Sequence, residues 1–361
     1  MSGSGTEAGT AIVGVATVGG QCRFVGKAGD DLGVGHGVGF ADTEIKEFLI
    51  WVCATGSAFG ALNSLEFIDR GFLEAVAWTA DSLSEEVVEV GRHFVGLRFV
   101  KIMTKTAEMQ KASRAWRRRG KTVALVPTMG ALHDGHVALI RRAGKLADRV
   151  VVSAYVNPTQ FTSRADFRQY PQRGAADVQR AREAGADVLF RPKSLYAKDA
   201  STWVEEVDRS RGRCGAKRVG HFRGVATVVM KLFGIVQPQV AVFGEKDKQQ
   251  CEVIERMVRD LFCAVRIVQL PTIREKDGLP MSSRNLRLSP MERRVAGRWA
   301  KAVREASQAG AGRSVAKLKF LLRGLPGLRL EYVEVVEGQL YAAVYLGKIR
   351  LIDHRPCRRK S

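Results

Sequence analysis

The chain of 361 residues is long enough for two or three domains, and its 45% apolar content can furnish proper cores. Its net charge of +21 is split unevenly: residues 1–100 hold 6 Lys/Arg against 13 Asp/Glu, a balance of −7, and residues 101–361 hold 52 against 24, a balance of +28. A surface that basic attracts nucleic acid without specificity and serves anionic small substrates equally well; no zinc-finger spacing or aromatic RNA-binding motif accompanies it, so specific nucleic-acid binding is not expected.

Residues 1–100 carry 17 of the 37 glycines and show weak periodicity, which suggests an atypical acidic extension. Gly33–Gly39 lacks the spacing of a dinucleotide loop. Gly20 to Lys27 is one residue too long for a phosphate loop, and Ala28 stands where a hydroxyl is required. Both read as flexible Gly-rich chain. Phe48–Leu65 is uncharged over 18 positions, the lower limit for a spanning helix. Thr55, Gly56, Ser57, Gly60, Asn63 and Ser64 interrupt it, so no membrane span is expected. No basic patch followed by an apolar run marks a secretory signal. Six cysteines (Cys22, Cys53, Cys214, Cys251, Cys263 and Cys357) are scattered without a C-x-x-C pair. They suit free thiols in a reduced compartment, the cytoplasm.

From Thr104 the chain becomes regular. Thr104–Arg119 is a predicted helix, with Met109, Ala112 and Trp116 near helical spacing and a stop at Gly120. Predicted strands at Thr122–Val126, Arg149–Val156, Asp187–Phe190, Gln239–Phe243 and Val265–Leu270 then alternate with helices. The helices fall at His136–Ala147, Ala175–Ala184, Gly224–Ile235 and Asp247–Phe262. Several strands are continuous apolar runs, as expected when both faces are covered. The pattern predicts an α/β fold, a doubly wound parallel sheet spanning residues 101–281. Pro290–Gln308 and Ser314–Leu322 then read as helices. Leu330–Val336, Leu340–Tyr345 and Lys348–Ile352 read as short strands, the last two flanking Gly347 as a hairpin. Residues 282–361 are therefore expected to form a small C-terminal α+β domain.

Four polar sets fall at or near predicted strand ends, where parallel α/β sheets carry ligands. The first is Pro127–His136, in which His133 and His136 sit among Gly130 and Gly135 at a strand-to-helix junction. Ordinary loop histidines are the default for such a pair. Zinc ligation is a poor fit, because the spacing is three and no third ligand is near. The Gly-bearing loop before a helix favours a bound phosphate. The second set, Gly244-Glu245-Lys246-Asp247, reads alone as a solvated helix start, although Lys246 can neutralise phosphate and Asp247 can cap a helix or meet a ribose hydroxyl. The third, Met281-Ser282-Ser283-Arg284-Asn285, is either a capping surface turn or a polyphosphate clamp. The amides of the fourth, Asn157-Pro158-Thr159-Gln160-Phe161, could recognise hydroxyls and a carboxylate.

Together these residues closely resemble the pantothenate synthetase (pantoate–β-alanine ligase) family of the H-x-G-H nucleotidyltransferase superfamily. The resemblance runs from about Lys101 to the C-terminus. It includes Val151–Phe161 (VVSAYVNPTQF), Asp166–Pro171 (DFRQYP), Cys214–Ile235 (CGAKRVGHFRGVATVVMKLFGI), Val242–Gln250 (VFGEKDKQQ), Pro271–Asn285 (PTIREKDGLPMSSRN) and Leu351–Asp353 (LID). It implies a Rossmann-like fold and a two-step reaction through a pantoyl adenylate, releasing pyrophosphate and AMP. The substrates would be ATP, pantoate and β-alanine, with Mg2+ carried by ATP.

The family's site then maps onto this sequence residue by residue. Met129, Gly130, Ala131, Leu132, His133, Asp134, Gly135 and His136 would form the ATP loop, with His136 at the proton-donor position. Gly244, Glu245, Lys246 and Asp247 would hold ribose and phosphates, Lys246 bearing charge at the α-phosphate. Ile273, Met281, Ser282, Ser283 and Arg284 would complete the ATP site. Gln160 and Gln250 would grip pantoate, with Asn157 in support. Asp177 matches an acidic, metal-binding position. A homodimer is implied as well.

A different H-x-G-H nucleotidyltransferase, one that adenylates a phosphorylated precursor, is disfavoured by Gln160 and Gln250, which offer amides rather than a phosphate clamp. Three departures stand out. Lys248 replaces a common Tyr and would add charge beside the ATP site, Val219 replaces a usual Pro and would loosen its segment, and His354 replaces a usual Asn. Residues 1–100 match nothing in the family. Translation starting near Met103, or at a non-standard codon for Val100, would account for them; a genuine regulatory or targeting segment is the rival.

Overall fold

The computed structural model describes residues 100–358, together with two strands in the preceding part of the chain. The chain divides into two compact units, residues 1–99 and 100–361. In the first, β1 (Ile12–Val18) pairs antiparallel with β2 (Gln21–Lys27). The segment at Gly20–Lys27, expected to be flexible, is thus largely a strand. Extended pairing also excludes the loop-to-helix geometry a phosphate loop needs. The readings of Gly33–Gly39 and Phe48–Leu65 lie outside the described residues. Among the described residues no helix is long and apolar enough to cross a membrane.

The second unit is built on a six-stranded parallel sheet. Its strands are β3 (Lys101–Met103), β4 (Val123–Thr128), β5 (Arg149–Ala154), β6 (Val188–Phe190), β7 (Val240–Gly244) and β8 (Arg266–Leu270), in the order β3-β6-β5-β4-β7-β8. Alternation along each strand sorts side chains to opposite faces. Val123, Leu125, Val151, Phe190 and Phe243 pack on one face with Met109 and Trp116 of α1 (Thr106–Arg118). Ala124, Val126, Val150, Val152 and Val242 pack on the other, with Leu139, Ile140 and Ala143 of α2 (Asp134–Gly144). Covering both faces is what made these strands continuous apolar runs.

The chain steps outward from β4 through β5 and β6, then returns to place β7 on the opposite side of β4. The order therefore reverses between β4 and β7, and the carboxyl ends of those two strands open the crevice where such sheets bind ligands. The short elements α3 (Arg164–Arg168) and α5 (Arg213–Lys217), and the edge strand β3, are absent from the sequence-based expectation. Each is three to five residues long, below the length at which periodicity can be read. The strand expected to stop at Val126 continues through Thr128, whose hydroxyl donates to the Ser153 carbonyl at 2.6 Å.

Between these lie α4 (Gly174–Ala184), α6 (His221–Val236) and α7 (Lys248–Asp260). After the sheet come α8 (Pro290–Gln308) and α9 (Ala311–Leu322), packed on an antiparallel meander of β9 (Leu328–Val336), β10 (Gln339–Leu346) and β11 (Ile349–Pro356). Ser289 and Glu292 form a reciprocal capping box at the start of α8, satisfying donors the first turn leaves free. Trp299, Leu318, Leu340, Val344 and Leu346 centre a separate apolar cluster there.

Candidate active site

The loop after β4 is held from behind. Asp177, buried on α4, accepts the backbone N–H groups of Ala131 (3.0 Å) and Leu132 (2.7 Å). Thr128 Oγ1 accepts the N–H of Gly130 at 3.1 Å. Gly130 adopts φ +79°, and a Cβ there would lie 3.0 Å from the Asp177 carboxylate, so the close approach favours glycine. Ala131 also sits at positive φ (49°), a conformation costing about 1 kcal/mol that the two carboxylate bonds offset. Each oxygen of Asp177, expected as a metal ligand, receives a loop N–H.

The loop ends at His133, which caps α2. The two imidazole rings lie 4.0 Å apart between centroids. A Cβ on Gly135 would stand 2.8 Å from His133 Cε1, which explains glycine at the third position of H-D-G-H. The His133 N–H donates to His136 Nδ1 at 3.3 Å, so a neutral His136 carries its proton on Nε2. Burial, reinforced by the Lys246 ammonium, lowers the His133 pKa to about 4. Burial, then His133 and Lys246, holds His136 well below the ordinary imidazole value. Both rings are neutral hydrogen-bonding groups at neutral pH. The His133 Nδ1 is buried without a partner among the described residues.

Opposite, β7 ends in a tight turn, Glu245–Asp247. Lys246 Nζ stands 3.5 Å from the Asp247 carboxylate. Burial pushes the Asp247 carboxyl up, but Lys246, Arg284 and His221 outweigh it and hold the group below the usual range. Gln250, in the first turn of α7, faces the same cleft. Glu245 is turned to other tasks. Its carboxylate meets Lys248 Nζ at 3.2 Å, and Lys248 also donates to Gln269 at 2.9 Å. Lys248, expected to add charge beside the nucleotide, is paired with Glu245 and lines the adjoining cavity together with Lys246, Asp247 and Gln250.

The third wall follows β5. Asn157 is buried and fully used: its amide donates to Gln160 Oε1 (3.1 Å) and to the Gly224 carbonyl (3.0 Å), while its oxygen accepts the Thr159 hydroxyl (2.9 Å). Asn157 thus aims Gln160, whose Nε2 lies 3.2 Å from Met129 Sδ. Arg218 donates to the Gln160 carbonyl (3.2 Å) and to His221 Nε2 (2.9 Å), leaving His221 Nδ1–H to donate to that same carbonyl at 2.7 Å. Burial, then Arg218, lowers the His221 pKa to about 3.

The fourth wall is Ile273 with Met281–Arg284. Ser282 caps its own turn, its Oγ accepting the Arg284 N–H, and the buried Ser283 meets the Tyr170 hydroxyl. Arg284 does not stand free as a clamp: it pairs with Asp166 at 3.2 Å, as does Arg287.

The structure brings Met129, His133, Gly135, His136, Gln160, Gly244, Lys246, Asp247, Gln250, Ile273, Met281, Ser282, Ser283 and Arg284 onto one cleft of about 210 Å³. Gly130, Ala131, Leu132, Asn157 and Asp177 support that wall from behind. Asp134 faces outward, paired with Arg180 at 2.8 Å. Sequence reasoning assigned no role to Arg218, His221 or Tyr170, nor to the apolar floor of Val225, Val228, Val229 and Leu232, all lining residues. The R-V-G-H run signalled the first two, but helix α6 alone reads as core. Val219 is 86% exposed, and Gln249 ties down the stretch that precedes it. Gln249 accepts the Cys214 N–H (2.9 Å) and donates to the carbonyls of Arg209 (3.0 Å) and Arg211 (2.9 Å). The four described cysteines are all free.

Comparison with known proteins agrees with this geometry. The family model for Pantoate-beta-alanine ligase matches residues 101–356. Pantothenate synthetase of Heliobacterium modesticaldum is 44% identical over 276 residues, covering 71% of this chain and 98% of that protein. The Geobacter sulfurreducens enzyme is 46% identical over 277 residues, with the same coverage. Among solved structures, pantothenate synthetase from Thermus thermophilus matches with a TM-score of 0.67 at 37% identity, covering 72% of this chain and 99% of that one. Pantoate-beta-alanine ligase from Francisella tularensis, complexed with Beta-gamma ATP and Beta-alanine, matches with a TM-score of 0.66 at 32% identity and the same coverage. The chain belongs to the pantoate–β-alanine ligase family.

Proposed function

We propose that this cleft joins pantoate to β-alanine in two ATP-driven steps. A pantoate carboxylate oxygen attacks the α-phosphorus of ATP, the bond to the β-phosphate oxygen breaks, and pyrophosphate leaves. The neutral amine of β-alanine then attacks the acyl carbon of the adenylate. AMP departs with the electron pair of the cleaved C–O bond, and the amine's extra proton is lost as the amide forms. The observation that carries the reading is the meeting of two neutral imidazoles, one ammonium and two amides on one cleft. His136 Nε2–H and Lys246 are suited to the charge that develops on the α-phosphate oxygens, and dipoles fixed before the reaction need no reorganisation. Gln160, aimed by Asn157, and Gln250 are suited to the hydroxyls and carboxylate of pantoate, over an apolar floor that accepts its methyl groups. Holding the carboxylate in line with phosphorus supplies the rest.

Mg2+ fits as an ion carried on ATP. Asp247 is the carboxylate on the cleft wall, whereas Asp177 is committed to backbone N–H groups, so phosphate oxygens would form most of the coordination. When bound, the ion would neutralise phosphate charge. We extend the reading to a catalytic domain of residues 101–281, a C-terminal lid of residues 282–361, a homodimer and a cytoplasmic setting. The separate cluster around Trp299 supports the domain division, and family resemblance supports the dimer, whose mass in solution tests it.

Omitting substrates in turn tests the function. Pyrophosphate release should require ATP and pantoate, and AMP release should require β-alanine as well. Purified protein that releases neither with all three substrates present overturns the reading.

A further inference from the structure

We propose that the Asp353–His354 step of β11 is a positioning clamp: two adjacent side chains of the C-terminal sheet each hold one arm of the nucleotide site. The proposal rests on the ligase reading of the cleft. Neighbouring residues of a strand point to opposite faces, so one dipeptide can grip two separate segments.

The Asp353 carboxylate is 1% exposed and takes Arg274 in a bidentate pair, Nη2 to Oδ1 and Nη1 to Oδ2, both 2.8 Å. The same guanidinium donates to the carbonyls of Gly278 (3.0 Å) and His354 (3.3 Å). Arg274 also forms a backbone bridge with Pro280, and the Met281 N–H donates to the Ile273 carbonyl at 3.0 Å. Fixing Arg274 therefore fixes the loop that begins at Ile273 and delivers Met281–Arg284.

His354 reaches the other arm. Its Nε2 lies 2.6 Å from the Glu245 carbonyl, which can only accept, so Nε2 carries the proton. The ring stacks on Tyr341, and its Nδ1 is buried without a partner among the described residues. Glu245 immediately precedes Lys246. The hydrogen bond thus sets the peptide from which the Lys246 side chain projects. Beyond the pairing of β7 with β8, the Asp353–His354 step ties the Lys246 turn and the Ile273–Arg284 loop to one another.

Three variants test this: His354→Phe keeps a stacking ring but removes the donor, His354→Gln restores a donor, and Arg274→Lys breaks the bidentate pair. The readouts are Kd for ATP by calorimetry, KM for each substrate, and the urea midpoint. His354→Phe should weaken ATP about tenfold, the effect of leaving a part-buried carbonyl unpartnered. KM for β-alanine should hold, and His354→Gln should recover ATP affinity. Arg274→Lys should also weaken ATP selectively. Unchanged ATP affinity in His354→Phe overturns the clamp, as does a parallel loss of all affinities and of the urea midpoint that His354→Gln does not relieve. A wild-type chain that binds ATP but makes no amide sinks the ligase reading alone; one that does not bind ATP sinks both.

Discussion

The loop after β4 and the turn after β7 face each other across the reversal of strand order, yet they are held by different means. The β4 loop is secured from the helix α4 that covers the parallel sheet, by Asp177 accepting two backbone N–H groups, and by His133 folding over Gly135. The β7 turn is secured from another sheet, by His354 on the Glu245 carbonyl. One arm is therefore preorganised within the parallel α/β layer, while the other takes an added hold from the C-terminal meander. The difference assigns distinct jobs: the histidine loop presents fixed neutral donors, and the lysine turn presents a charge whose placement depends on the C-terminal sheet.

The sharpest way to break this comparison is to delete the charge. Lys246→Gln should lower kcat by about 10²–10³-fold, the usual cost of removing a preorganised group at a developing oxyanion. Its urea midpoint should stay near wild type, because among the described residues Lys246 pairs only with neighbouring Asp247. Stopped-time pyrophosphate assays with matched denaturation curves check both halves. The converse holds for Asp177→Ala, which leaves two loop N–H groups without their acceptor. We expect a loss of about 2–4 kcal/mol in stability together with a fall in turnover. Retained stability would show that the loop holds its own shape.

Acid should act on the histidine arm as a third, intermediate effect. His133 titrates at about 4 in the folded chain and near 6.5 when unfolded, so between these values the unfolded state binds more protons. Stability therefore falls as pH drops from about 6.5 to about 4, by roughly 3 kcal/mol from this group alone. Burial of His136 and His221 acts in the same direction. Urea midpoints across that window, compared with His133→Gln, measure the slope; an equal slope in the variant contradicts the assignment. The smallest effect is expected at Tyr170→Phe. Its hydroxyl meets Ser283 at 3.4 Å, a long contact, and its loss should cost under about 1 kcal/mol in denaturation.

Much of the nucleotide side was legible because it is written locally. An apolar strand, a Gly-bearing loop and a helix start at His133–His136 can be read without knowing any distant contact, and the same holds for the strand running into Gly244–Asp247. The strands of the parallel sheet between β4 and β8 were legible too, since strands covered on both faces show as continuous apolar runs. What could not be read depends on pairs far apart in sequence. Asp177 lies on another helix and acts on backbone N–H groups that no side-chain pattern reveals. Arg284 was read as a phosphate clamp because Asp166, which engages it, is remote in the chain. Lys248 read only as added charge because one of its partners, Gln269, lies on the next strand. His354 showed only as an unusual residue near the end of the chain, and its reach to Glu245 emerges from the packing of the two sheets.

The two-step chemistry requires that the carboxylate be activated by adenylation before the amine arrives. Exchange of labelled pyrophosphate into ATP, followed without β-alanine, tests it most directly. Exchange should appear with pantoate, be absent without it, and collapse in His136→Ala that remains folded. Exchange that proceeds equally without pantoate, or that appears only when β-alanine is added, would contradict it.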